Sequence, residues 1–250
     1  MKVKNILVSQ PKPVDCDKSP YGDLIRKFNV KIEFRKFFKI EGVAAKEFRQ
    51  ERINILDFTA IIFTSKHAVD HFFRICEEMR ITVPDTMKYF CISESTALYL
   101  QKYVLYRKRK IFHGKEQFQQ LLEVIKKHKT ESYLLPCSDL LNNEMSDVFD
   151  ENKINYTKAL MFETVSADLS DIDITNFDML VFFSPSGIKS LQANYPNFVQ
   201  GETVIAAFGA TTHTAIKEAG LTLNIEAPSP KAPSMIMALN QFLEKAAKGK

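Results

Sequence analysis

TAIIFTSKHAVDHF (59–72) and DMLVFFSPSGIKSL (178–191) are two copies of one pattern, an apolar run, a polar turn and a helix start, with Ser65 aligned on Ser184 119 positions later. An apolar run that gives way to helical spacing is the strand–turn–helix unit of a parallel sheet. The next unit repeats too: CISESTALYL (91–100) matches AFGATTHTAI (207–216), with Thr96 aligned on Thr212 at a spacing of 116. A weaker pair, KNILVS (4–9) and SYLLPC (132–137), is followed in each copy by a second strand, VKIEFR (30–35) and YTKALMF (156–162). The other apolar runs are KYFCIS (88–93), RKIFHG (109–114), TVIAAFG (203–209) and LTLNIEAP (221–228). The chain is therefore X-Y-X′-Y′, with two strands in each X and three in each Y, which makes ten strands in two mostly parallel sheets. Helical spacing between them is clearest at Val69, Phe72, Phe73, Cys76 and Met79, at Phe118, Leu121, Leu122 and Ile125, and at Ile236, Leu239 and Leu243.

Connection lengths decide which X joins which Y. The helix ending near His128 meets the strand beginning at Ser132 almost at once, an ordinary loop within one domain. KFFKIEG (36–42), with a helix near 43–53, and ETVSADLSDIDIT (163–175) are longer and make the interdomain crossings. The expectation is a discontinuous lobe of residues 1–38 and 168–250, an inserted lobe of 43–160, and crossings at 36–42 and 161–167. Running in opposite directions, the crossings can pair as a two-stranded antiparallel ladder. A chain of 250 residues, 45% hydrophobic, is long enough for two such cores.

The charges exclude several classes. Net charge is +4 with basic and acidic residues interleaved, so no tract is available to track a nucleic-acid backbone. The most basic stretch, RKRK at 107–110, is explained by solvated charges at a strand entrance. Cys16, Cys76, Cys91 and Cys137 form no CxxC pair and have no histidines at zinc spacing, which is the pattern of reduced, mostly buried thiols. Ile6 to Val8 is too short for a signal core, and no segment reaches 18 uninterrupted apolar residues, so a soluble cytoplasmic protein without membrane partners is expected. Eight glycines form neither GxGxxG nor GxxxxGK[ST], and GxSxG is missing, which sets aside NAD, ATP and the hydrolase elbow. His67 and His71 are spaced i, i+4, but they stand beside Lys66, Asp70 and Arg74, and a solvated helix face is expected there in place of a metal site.

Polar residues gather at the carboxyl ends of the repeated strands: Thr64 and Ser65; Ser93, Ser95 and Thr96; Ser138; Ser184, Ser186 and Gly187; Gly209, Thr211 and Thr212. Ligands bind at these ends in open α/β sheets. Ser65 and Ser184 also stand where N-caps are needed, with Pro185 at the first helical position. The two roles are compatible, because a helix start with free N–H groups attracts carboxylates. Two lobes facing each other would offer several such starts to one polyanionic ligand.

IIFTSKHAV (61–69), LLPCSD (134–139), FETVS (162–166), FFSPSGI (182–188), AFGATTHTAIKEAGL (207–221) and EAPSPKAPSMIMAL (226–239) resemble the uroporphyrinogen-III synthase family along nearly the whole chain. The resemblance implies an α/β fold of two flavodoxin-like lobes, each a mostly parallel sheet flanked by helices, joined by a two-stranded antiparallel ladder. It implies a cofactor-free enzyme, a hydro-lyase of haem biosynthesis, that cyclises hydroxymethylbilane to uroporphyrinogen III with inversion of the last pyrrole ring and loss of water. It also implies a monomer supplied by the upstream bilane-forming enzyme. The substrate carries acetates and propionates on every ring, and the positions matching Thr64, Ser65, Ser184, Ser186, Gly187, Thr211 and Thr212 line the family's interlobe cleft.

Two positions depart from the pattern. Phe162 stands where many members carry a tyrosine suspected of assisting hydroxyl loss, and a phenyl ring can neither donate nor accept a proton. Its ring is expected to border the cleft at the start of a crossing. Ser93 replaces the glycine of its repeat partner, Gly209. No acid or base is therefore assigned, and catalysis by positioning is expected. The residues by themselves leave open a two-lobed binding or sensor module for a small anion or a flavin.

Overall fold

Ile6 to Val8, Ala60 to Phe63 and Met179 to Phe182 have no polar face, so they are stable only with both faces covered, and each lies buried within a sheet. The computed structural model describes residues 3–115, 118–141 and 143–248. In chain order the elements begin with β1 (Asn5–Val8), α1 (Pro20–Phe28), β2 (Lys31–Phe34), β3 (Phe38–Gly42) and α2 (Ala45–Gln50). There follow β4 (Ala60–Phe63), α3 (Lys66–Glu78), β5 (Lys88–Cys91), α4 (Glu94–Tyr99), β6 (Ile111–His113) and α5 (Phe118–Lys126). The next are β7 (Tyr133–Ser138), α6 (Asn143–Glu151), β8 (Tyr156–Ser166), β9 (Met179–Phe182) and α7 (Pro185–Asn194). The last are β10 (Val204–Phe208), α8 (Ala210–Glu218), β11 (Ile225–Ala227) and α9 (Met235–Lys248).

The chain divides into two units, Met1–Lys39 with Val165–Lys250, and Ile40–Thr164. The first unit holds a sheet ordered β11-β10-β9-β1-β2 with every ladder parallel. Counted within the unit this is the flavodoxin-like order 2-1-3-4-5, with its switch point between β1 and β9. Alternation along the strands splits the core. Ile6, Val8, Met179 and Val181 pack with Leu24, Leu239 and Leu243 on one face. Leu7, Leu180 and Phe182 pack with Ile188, Leu191 and Ile216 on the other. Each such side chain contributes about 1.5–3 kcal/mol by leaving water.

The other sheet runs β3-β8-β7-β4-β5-β6, parallel from β8 to β6. Here β7 and β8 hold the places of β1 and β2, and β4, β5 and β6 those of β9, β10 and β11. The switch point falls between β7 and β4. One face packs Ile61, Phe63, Phe72 and Ile75, and the other packs Ile62, Phe90, Leu121, Ile125 and Phe149.

Two expectations need correction. The crossing at 36–42, expected to pair in a ladder, forms strand β3, so the count of ten becomes eleven among the described residues. The Val43 amide donates to the Met161 carbonyl at 3.0 Å and the Ala167 amide to that of Phe37 at 2.8 Å, pairings that run in opposite senses. The run at 221–228 yields only Ile225–Ala227: the exposed Asn224 takes the Ile205 amide on its side-chain oxygen at 2.7 Å, in place of a ladder carbonyl.

Candidate functional site

At the switch point of the first unit the chain must turn from strand to helix in little space. Gly187 fits because a Cβ there would stand 3.1 Å from the Phe182 ring and 3.6 Å from the Ser9 Oγ. Ser184 occupies the N-cap of α7 and Pro185 the first helical turn, yet the Ser184 hydroxyl makes no capping hydrogen bond, contrary to the capping expectation. Ser186 follows with an amide that has no backbone partner within the described residues. Helix α8 starts in a similar way. Its N-cap is Gly209, at φ 91°, a left-handed value that suits glycine, and it has no side chain to cap with. The Gly209 amide donates to the Ala227 carbonyl at 2.7 Å, and the first capped amide of the helix is that of Thr212, 3.1 Å from the Gly209 oxygen. The amides of Ala210 and Thr211 have no partner among the described residues.

Thr211 and Thr212 do not share one environment. Thr212 is 1% exposed, on the α8 face that also buries Ile216, whereas Thr211 is exposed. Thr211 is the member of the pair whose side chain stands in solvent. His213, absent from the sequence-derived set, donates from Nε2 to the carbonyls of Ala207 and Ala227 at 3.0 and 3.1 Å, fixing the ends of β10 and β11.

In the second unit the hydroxyls are spent on capping. Ser65 Oγ accepts the Ala68 amide at 3.1 Å, and the half-buried Thr64 precedes it. Ser93 Oγ accepts the Thr96 amide at 3.2 Å and lies 3.0 Å from Ser95 Oγ and 3.1 Å from Thr96 Oγ1. Ser93 and Thr96 are buried, and Ser95 is exposed. Ser138 Oγ accepts the Leu140 amide at 3.2 Å, and the neighbouring Asp139 carboxylate accepts the Thr164 amide at 2.9 Å. A serine at 93 in place of glycine thus supplies a side-chain cap that Gly209 cannot.

Contrary to expectation, Phe162 does not follow its strand at the start of a crossing. It lies inside β8, 7% exposed, opposite Ser138 after a one-residue slip in the β7–β8 register. That slip turns both Met161 and Phe162 into the core. The Phe162 ring stacks on His71 with centroids 5.1 Å apart and planes at 17°. The α3 face bearing His71 and Arg74 is accordingly not a solvated one, as expected, but a contact with β8. Arg74 Nη2 donates to the carbonyls of Val43 (2.7 Å) and Met161 (3.2 Å), its Nε donates to His71 Nδ1 (3.2 Å), and Nη1 pairs with Glu78 (2.6 Å). Gly42 leaves room for this fork, since a Cβ there would come within 2.6 Å of the guanidinium. Burial, then the charge of Arg74, pushes the His71 pKa below its ordinary value. Among the described residues no group of three or more His, Cys, Asp or Glu gathers to hold a metal, and no helix is long and apolar enough to cross a membrane.

Sequence reading missed Ser9, Arg74 and His213. Ser9 aligns with Cys137 in the internal repeat, which hides it. His213, and the Nη2 of Arg74, bond to carbonyl groups, on which side-chain identity has no bearing.

The family profile described as HEM4, uroporphyrinogen-III synthase HemD, matches residues 21–237. No curated protein matches the sequence. Among solved structures, uroporphyrinogen-III synthetase from Helicobacter pylori 26695 is 17% identical over 97% of this chain and 99% of its own, with a TM-score of 0.56. A mutant uroporphyrinogen III synthase from the extremely thermophilic bacterium Thermus thermophilus is 11% identical over 99% of this chain and all of its own, with a TM-score of 0.53. At such identities these likenesses bear on the fold alone.

Proposed function

The chain belongs to the uroporphyrinogen-III synthase family, enzymes of tetrapyrrole synthesis, and from that premise we propose how its residues act. The reaction is closure of hydroxymethylbilane to uroporphyrinogen III with inversion of the last pyrrole ring and loss of water, which makes the enzyme a hydro-lyase. The observation that carries the reading is the pair of uncapped helix starts at α7 and α8. Their open amides, with the positive end of each helix dipole behind them, suit the carboxylates of the substrate.

Ser184, Ser186 and Thr211 add hydroxyl donors to those amides; in the other unit Thr64 and Ser95 offer hydroxyls, and Ser65 and Ser138, whose oxygens cap, each keep a proton to donate. Gly187 and Gly209 let the backbone approach, while Ser93, Thr96 and Thr212 hold the turns in shape. No residue is assigned as acid or base. The buried Phe162 has no proton to give, and selectivity arises from holding the chain so that the terminal ring attacks through its substituted carbon. We further propose that the protein works as a cytoplasmic monomer supplied by the bilane-forming enzyme.

The test is the Michaelis constant for hydroxymethylbilane against ionic strength. Recognition through helix starts predicts a constant that climbs as salt shortens the Debye length from about 10 Å at 0.1 M. A constant unchanged up to several hundred millimolar salt removes electrostatic recognition.

A further inference from the structure

The amino ends of the strands in the second unit, opposite the ends just described, carry a cavity of about 480 Å³, well within the range of small-molecule sites. Its apolar wall includes Cys76, Met87, Val104 and Ile111. Phe73 and Tyr103 stack at 4.4 Å with planes 6° apart, and both line the space. The polar feature of this wall is Tyr89. It is 5% exposed and lines the cavity, and its hydroxyl has no hydrogen-bond partner among the described residues. The phenol oxygen opens on the cavity rather than being sealed in the core, so its proton is available to an acceptor held there. Burial, with Cys76 and Asp85 adding, raises its pKa and keeps the proton on.

The rim carries the one basic stretch for which the reaction has no use. Arg107 and Lys110, the ends of RKRK, line the cavity with Asp85 and Glu77. The Arg107–Asp85 pair is loose, at 3.8 Å with both side chains largely in water. At the rim two cations, Arg107 and Lys110, stand with two carboxylates, Asp85 and Glu77, and Lys110 is the cation left without an ion pair among the described residues.

We propose that this cavity is a second site, for a small aromatic carboxylate that carries another oxygen. The ring lies along Phe73 and Tyr103, the second oxygen accepts from Tyr89 Oη, and the carboxylate meets Arg107 and Lys110 at the rim. Aromatic stacking, a buried donor and rim cations each select one part of that ligand.

The probe is 6-hydroxy-2-naphthoate, titrated against the full chain by its own fluorescence, with 2-naphthoate and 2-naphthol as controls. Saturable binding of one equivalent is expected, with each control about tenfold weaker. Tyr89→Phe should bring the hydroxy acid down to the level of 2-naphthoate and leave 2-naphthoate itself unchanged, a pattern that loss of structure would not produce. Arg107→Ala with Lys110→Ala, the first exposed and the second half-buried at the rim, should weaken the two acids about tenfold, flatten their salt dependence and spare 2-naphthol. No saturable binding at millimolar probe overturns the proposal. So does binding that survives both the Tyr89 and the double rim variant, which would place the probe elsewhere on the chain.

Discussion

Replacing Arg74 by alanine removes the fork that joins α3 to the carbonyls of Val43 and Met161. A hydrogen bond from a charged donor contributes about 1.5–3 kcal/mol, but this side chain is 29% exposed and water can replace part of the loss. The exposed Glu78 pair adds only about 0.5 kcal/mol. The expected cost of Arg74→Ala is therefore about 2–3 kcal/mol. Gly42→Ala should cost about the same for a different reason: the new methyl group would lie 2.6 Å from the guanidinium, which must swing away and give up the same bonds. The double variant should then be no less stable than Arg74→Ala alone, a coupling of about 2 kcal/mol. Urea unfolding followed by circular dichroism reads this as a midpoint shift of about 1–2 M for each single variant and no further shift for the double, given slopes of about 1–3 kcal/mol/M. Costs that add within about 0.5 kcal/mol would show that Gly42 and Arg74 act independently and refute the reasoning.

Phe162→Ala should cost about 3–5 kcal/mol, read by the same urea titration, because it empties a packed core position and unstacks His71. Phe162→Tyr puts a hydroxyl into that core and should cost about 1–3 kcal/mol with turnover changed less than about tenfold; a gain of orders of magnitude would instead reveal a missing acid. His71, whose folded pKa lies below its ordinary 6.5, takes up a proton more readily when unfolded. Stability is then full above about pH 6.5 and falls as the pH drops toward the folded value, a loss that His71→Gln should diminish in melting curves at pH 7.5 and 5.5. Thr211→Ala should raise the Michaelis constant at unchanged melting temperature, while Thr212→Ala should lower stability by about 1 kcal/mol through its buried methyl.

Strands such as Ala60–Phe63 and Met179–Phe182 were legible because complete burial leaves an unbroken apolar run, a purely local signal. Strand β3 was legible only as a long connection able to pair in a ladder, since KFFKIEG lies at a sheet edge with exposed and half-buried positions mixed and has no such run. The helix starts were legible as hydroxyls after strands, but not which of them cap. Ser65 and Ser184 share a place in the repeat, and only the first turns its oxygen to the helix. The contact of His71 and Arg74 with β8 escaped for another reason. Helical periodicity marks a face as polar, whereas the carbonyls that fill that face belong to residues 43 and 161, remote in sequence. Likewise the inward turn of Phe162 follows from a register slip between two strands, which neither strand's pattern encodes alone.

The most direct test is to supply the purified protein with hydroxymethylbilane and separate the isomers of the cyclised product. Unassisted closure gives the symmetric type I macrocycle, so type III as the dominant product, formed faster than type I in a protein-free control, is the expected result. Type I alone at the uncatalysed rate, with the bilane merely bound, would contradict the synthase reading and leave a binding module in its place.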